Sequence, residues 1–109
     1  MARDEIPPGT LDMLILKTLA NQPMLHGFEI AEYIRAKTLE VLEVEEGSLY
    51  PALQRMLIKG WITGRWSRTD ENRRARFYRL TPSGRKQLGH EVASYQRVAE
   101  AITYLLSPA

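Results

Sequence analysis

The chain has 109 residues, no cysteine, 44% hydrophobic and 26% charged residues, and a formal net charge of +2. This is the length and balance of one compact domain, and it excludes a large multidomain enzyme. The lack of cysteine removes disulfides, thiolate zinc sites and thiol nucleophiles and fits a reducing compartment. Met1 to Glu5 carry no apolar leader, and no apolar run nears the ~18 residues of a membrane span, so a soluble, cytoplasmic protein without a membrane partner is expected.

Pro7-Pro8-Gly9 punctuates the start, and Thr10 is placed to cap a helix over about Leu11–Ala20 with Leu11, Leu14, Ile15 and Leu19 at helical spacing. Asn21-Gln22-Pro23 breaks it. A second helix runs from His26 or Gly27 to about Lys37, with Ile30, Ala31 and Ile34 on one side and Glu29, Glu32 and Arg35 toward water. Leu39 to Val44 is apolar and β-branched enough for a short extended stretch. A third helix is expected from Gly47-Ser48 to Lys59-Gly60, with Pro51 in its first turn, where the missing N–H costs nothing, and Gly60 as a left-handed cap. Leu49, Ala52, Leu53, Met56 and Leu57 gather on one face, while Tyr50, Pro51, Gln54, Arg55 and Ile58 lie away from it. Glu45 and Glu46 precede this helix and no acid lies within it, which leaves its outer face free to approach phosphate.

Trp61–Ser67 and Arg74–Leu80 are aromatic and β-branched and flank a polar run, as in a β-hairpin with a long basic tip. In the second strand, alternation sets Arg76, Tyr78 and Leu80 on one side and Phe77 and Arg79 on the other. Thr81-Pro82 then reads as cap and first residue of a last helix reaching about Leu106. Charge is segregated along this order. Arg65 to Lys86 holds eight basic residues against two acids, a net of +6, so the rest of the chain carries −4. Clustered guanidiniums grip phosphates, although the same block also suits a merely solvated face.

Helix, helix, helix, hairpin, helix is the outline of a winged helix-turn-helix, a mainly α (α+β) fold whose third helix lies in the DNA major groove and whose two-stranded wing runs beside the backbone. The third helix supplies groups that meet base edges: Gln54 pairs with adenine and Arg55 with guanine, while Ser48 and Tyr50 donate to bases or phosphates. Arg68, Arg73, Arg74 and Arg76 of the wing suit phosphate contacts or a narrow minor groove. Against this stand the blander readings that Tyr50 packs in the core and that Arg55 only solubilises its helix.

Five stretches carry a resemblance: Gly9-Thr10-Leu11-Asp12-Met13-Leu14-Ile15-Leu16, Leu25-His26-Gly27-Phe28-Glu29-Ile30, Gly47-Ser48-Leu49-Tyr50-Pro51-Ala52-Leu53, Gly60-Trp61-Ile62 and Tyr78-Arg79-Leu80-Thr81-Pro82-Ser83-Gly84. Together, in this order, they resemble the PadR family of bacterial transcriptional regulators. The resemblance implies a homodimeric DNA-binding regulator, typically a repressor, with an N-terminal winged-helix domain, here 1–81, and a C-terminal dimerisation helix, here 82–109. A single C-terminal helix is similar to the short form of the family and leaves little room for a separate effector domain. Any small-molecule effector, of unknown identity, would have to use the dimer interface or the winged domain.

The last helix supports dimerisation independently. Leu88, Val92, Tyr95, Ala99, Ile102 and Leu106 alternate at spacings of four and three, the stripe of a helix that packs along a partner, with Glu91, Ser94, Arg97 and Glu100 on the polar far side. Folding back onto the first helix is the competing arrangement. That helix spans only about 15 Å against about 37 Å for Pro82–Leu106, so it cannot cover the stripe alone. A two-fold pair would set its recognition helices about 34 Å apart on double-stranded DNA and read an inverted repeat.

No catalytic constellation or metal site stands out, and no cofactor is expected. His26 and His90 are the only histidines, and His26 suits packing or capping; Glu43, Glu45 and Glu46 have no His or Cys at metal-site spacing; Ser48 and Ser83 have no evident base. Trp61 and Trp66 suit packing, but Trp66 on a wing strand would stack on a planar compound if a cavity adjoins it. The alternative from another class is a winged-helix module that uses its surface for a protein partner.

Overall fold

In the computed structural model, which describes residues 6–7 and 9–108, apolar spacing and caps divide the chain much as its sequence implies. The order is α1 (Leu11–Asn21), β1 (Leu25–His26), α2 (Gly27–Lys37), α3 (Glu46–Lys59), β2 (Ile62–Arg68), β3 (Arg74–Leu80) and α4 (Pro82–Leu106). Met1 to Glu5, read above for a leader, and Pro8 of the opening turn lie outside the described residues. The architecture is a mainly helical winged helix-turn-helix with a small antiparallel sheet and a long C-terminal helix.

The core forms where the helical stripes converge. Ile15, Leu16 and Leu19 of α1, Ile30 and Ile34 of α2 and Leu49, Ala52, Leu53 and Met56 of α3 are buried together, closed from the sheet by Ile62 and Tyr78. Thr10 does not cap α1 as expected: its hydroxyl donates backward to the Pro7 carbonyl at 2.7 Å, and no side-chain cap bond forms. His26 takes a capping position at α2, where the Glu29 carboxylate accepts the His26 N–H at 3.1 Å.

The expected extended stretch after α2 is instead mostly a turn. Leu39 and Glu40 adopt left-handed backbone, φ 53° and 64°, and the Glu40 N–H donates to the Arg35 carbonyl at 2.8 Å. Arg35 secures this corner through ion pairs to Glu32 and Glu40, both at 2.8 Å, and these carboxylates raise its pKa, chiefly through the bond to Glu32. Only Leu42 has an isolated bridge geometry, so six residues of β-like composition yield one bridged residue.

Two features of α3 differ from expectation. It starts at Glu46, so an acid does lie within it, and Pro51 is its sixth residue rather than part of the first turn. Pro51 therefore withholds a donor that an ordinary residue would offer to the Gly47 carbonyl four positions back. The C-terminus is as predicted: Gly60 is left-handed at φ 76°, its N–H donates to Leu57 and the Trp61 N–H donates to Met56, the paired bonds of a Schellman motif.

The hairpin carries a third strand that no local pattern announced. The sheet order is β1-β3-β2, antiparallel throughout, with Leu25 opposite Tyr78 and His26 opposite Phe77. The first hairpin strand begins one residue later than expected, at Ile62, and extends through Arg68.

Thr81 caps α4 as expected. Its Oγ1 accepts the Gly84 N–H at 3.0 Å and donates to the Gly60 carbonyl at 2.7 Å, tying the end of α3 to the start of α4. Thr81→Ala loses both bonds and is expected to cost about 1.5 kcal/mol. Thr81→Ser should retain most of that stability, and urea denaturation of both variants checks the difference.

Candidate nucleic-acid interface

Because α3 turns its apolar stripe to the core, its remaining residues must face outward. Ser48, Tyr50, Pro51, Gln54 and Arg55 are all exposed, as the helical period requires, and Ile58 continues the same surface. From Gly47 to Lys59 this helix contains no acid; Glu46, at its first position, is the one exception in the element. The surface divides by side. Tyr50 leans toward α2, so close that a Cβ on Gly27 would meet its phenol oxygen at 2.9 Å. Only glycine at the head of α2 leaves that ring its place. Arg55 leans the other way, and its Nη2 donates to Asp12 Oδ1 of α1 at 2.8 Å.

The wing is shaped by its own turn. The Thr69 N–H donates to the Arg73 carbonyl and the Asn72 N–H to the Thr69 carbonyl, each at 2.8 Å, with Asn72 left-handed at φ 62°. Arg73 and Arg74 project from this frame into solvent, while Arg68 donates to the Asn72 carbonyl at 3.3 Å and so helps brace the tip. Arg68 and Arg74 stand directly opposite each other in the ladder. Like charges so paired weaken a free hairpin, and a bound anion relieves the repulsion. Arg74 also covers the Trp66 ring at 5.0 Å from its centroid.

Arg76 differs from the other wing arginines. It is half-buried, its Nε has no hydrogen-bond partner, and it crosses the face of β2 where a Cβ on Gly64 would clash with that nitrogen. Glycine within a strand marks such a close approach, so Gly64 was the available sequence signal for this placement. Tyr78, on the same side of β3, is buried. Burial pushes its phenol pKa up, against a smaller downward pull from Arg76.

Between the head of α2, Tyr50 and the wing lies an open cleft of about 640 Å³, walled by Phe28, Tyr50, Trp66, Arg74 and Arg76 among others. Trp66, 56% exposed, thus adjoins a cavity. Among the described residues, no group of three or more His, Asp, Glu or Cys side chains is placed to hold a metal ion.

The stripe of α4 is split between two environments. Leu88, 8% exposed, belongs to the core and Val92 packs against it, so both are already engaged within the chain. Glu91, assigned to the polar far side, is half-buried, accepts from Gln87 at 3.1 Å and borders a small crevice with Thr10, Met13 and Tyr95. Past this crevice, which Val98 also lines, the stripe opens to solvent. Tyr95 is half exposed and Ala99 partly so, while Ile102 and Leu106 are 52% and 77% exposed, and Val98 and Leu105 widen the open apolar surface.

This arrangement of helices, wing and tail can be set beside known proteins. The profile of the transcriptional regulator PadR-like family matches residues 15–90. The chain belongs to the PadR-like family. Among solved structures, a transcriptional regulator from Clostridium thermocellum is 28% identical with a TM-score of 0.82, over 91% of this chain and 95% of that one. A PadR-like regulator from Bacillus cereus is 26% identical with a TM-score of 0.76, over 93% and 95%. The PadR of Bacillus subtilis, solved in complex with operator DNA, is 25% identical with a TM-score of 0.67 over 76% of this chain and 46% of its own. An uncharacterised protein from Lysinibacillus sphaericus is 28% identical over 94% of this chain and 93% of its own length. As a PadR-family member the protein is a DNA-binding transcriptional regulator and not an enzyme. No helix among its described residues is long and apolar enough to cross a membrane.

Proposed function

We propose that the chain acts as a homodimeric, sequence-specific repressor of an inverted-repeat operator, with α3 in the major groove and the wing on the flanking backbone. The observation that carries this reading is the outer face of α3, acid-free from Gly47 to Lys59, whose Tyr50 shares a cleft with Arg73, Arg74 and Arg76 of the hairpin. Ser48, Pro51, Gln54 and Arg55 meet the bases. Tyr50, set to the side beside Gly27, and wing residues Arg68, Arg73, Arg74 and Arg76 meet phosphates. That Bacillus subtilis PadR was solved in complex with operator DNA supports operator binding by this chain.

Residues 1–81 form the reading unit, and 82–109 join the copies. Because Leu88 and Val92 already pack within the protomer, the second copy covers chiefly Tyr95, Ala99, Ile102 and Leu106. Simultaneous engagement of two half-sites raises a modest single-site affinity through effective concentration. Repression then follows from occupancy of the promoter.

The test is the salt dependence of binding to duplex DNA. Binding should weaken steeply as salt rises, since each neutralised phosphate releases condensed counterions. Arg73→Ala with Arg74→Ala removes two phosphate contacts and is expected to flatten the log–log slope by roughly two units. A protein that shows no such slope with any duplex is a protein-interaction module instead.

A further inference from the structure

On the DNA-binding reading above, Arg55 is one of the few groups on α3 equipped to discriminate a base pair, and it is not a free side chain. Its guanidinium is joined to Asp12, 43 residues earlier and on a different helix, at 2.8 Å. The Asp12 side chain is 24% exposed and the Arg55 side chain 55% exposed, so the acid is the more sheltered of the two. Only Nη2 is engaged in that bond, which leaves most of the five guanidinium donors available.

An acid at this place has a cost, because it repels the polyanion that the face is built to approach. A first-turn acid is favoured by the N-terminus of its own helix, which is the purely structural account of Asp12. That account predicts an effect on stability alone. A second consequence follows from the geometry. An exposed arginine on a long flexible stem reaches the nearest phosphate of any sequence, which adds affinity without discrimination. Tethered to a carboxylate through one bond, its planar fork samples fewer orientations and loses less freedom on meeting a guanine edge.

We propose that Asp12 is a positioning residue for sequence specificity: it orients the Arg55 guanidinium toward a base and keeps it off the neighbouring backbone. Loss of the carboxylate then moves two affinities in opposite directions. Binding to arbitrary DNA tightens, because a negative charge is gone and Arg55 is released to a phosphate. Preference for the true site falls, because the fork is no longer pre-oriented.

The experiment uses the full chain, a duplex selected from a random pool by the wild-type protein, and a mixed-sequence duplex of the same length. For Asp12→Asn the expected results are a ratio of specific to non-specific affinity about ten-fold lower and a salt slope on mixed-sequence DNA steeper by roughly one unit. Arg55→Ala reads the same pair from its other side, and in that background Asp12→Asn should lower the ratio no further. The proposal is overturned if Asp12→Asn leaves the ratio unchanged, if it weakens both affinities equally together with thermal stability, or if it lowers the ratio as much without Arg55. A wild-type protein that selects no sequence and shows no salt slope sinks the DNA-binding reading itself, before any substitution is made.

Discussion

Ala99→Glu combined with Ile102→Glu is expected to yield a folded monomer whose operator affinity is lower by about a hundred-fold or more. Both residues lie outside the buried core, Ile102 exposed and Ala99 partly covered, so the protomer loses little packing of its own. In a two-fold pair these positions recur on both chains, and the substitutions would bring four carboxylates into an otherwise apolar contact. Desolvating such charges without partners is strongly unfavourable, so association fails before folding does. Analytical ultracentrifugation reads the oligomeric state and gel shift the affinity. A monomer that retains full affinity would refute dimerisation through α4.

Among the glycines, Gly84→Ala is expected to be the most destabilising substitution. A Cβ at Gly84 would overlap the Trp61 carbonyl, and the Leu80 side chain lies at 2.8 Å. The overlapping partner is backbone, in the segment that joins α3 to the sheet, so it cannot swing aside as a side-chain tip would. Overpacking of this kind costs about 3 kcal/mol, a large share of the 5–15 kcal/mol typical of a whole domain. Gly89→Ala is the control on the same helix: nothing lies within 4 Å of its Cβ position, and the higher helix propensity of alanine should stabilise it by up to about 1 kcal/mol. Urea midpoints of the two variants should therefore move in opposite directions.

The elements that local chemistry specifies were the ones legible from the sequence. Thr81-Pro82 marked the start of α4 because a hydroxyl cap and a fixed φ suit that turn, and Gly60 marked the end of α3 because only a left-handed residue closes it. α3 starts at Glu46, just ahead of the Gly47-Ser48 start that the sequence pattern implies. Glu45 occupies the cap position without a side-chain cap bond, so the usual chemical signature of a helix start is missing there. β1 had no local signal either: two residues become a strand only because Tyr78 and Phe77, some fifty positions on, pair with them. Leu39–Val44 has strand composition, but the turn secured by Arg35 and Glu40 overrides it.

The same division holds for the interface. Helical period placed Ser48, Tyr50, Pro51, Gln54 and Arg55 outside the core, and each is exposed. What the period cannot convey is lateral company. The Asp12–Arg55 pair and the seat of Tyr50 against Gly27 both join separate helices, and Arg76 is drawn over Gly64 by a register that depends on the hairpin as a whole. In α4, heptad spacing identified a stripe but did not reveal that its first two members are already used by the protomer's own core.

Hydroxyl-radical footprinting of the wild-type protein on its selected duplex tests the account most directly. Two copies joined through α4, each presenting α3 to the same DNA, should protect two symmetric half-sites on one face, centred about 10 base pairs apart. A single protected half-site, or no protection at all, would contradict it.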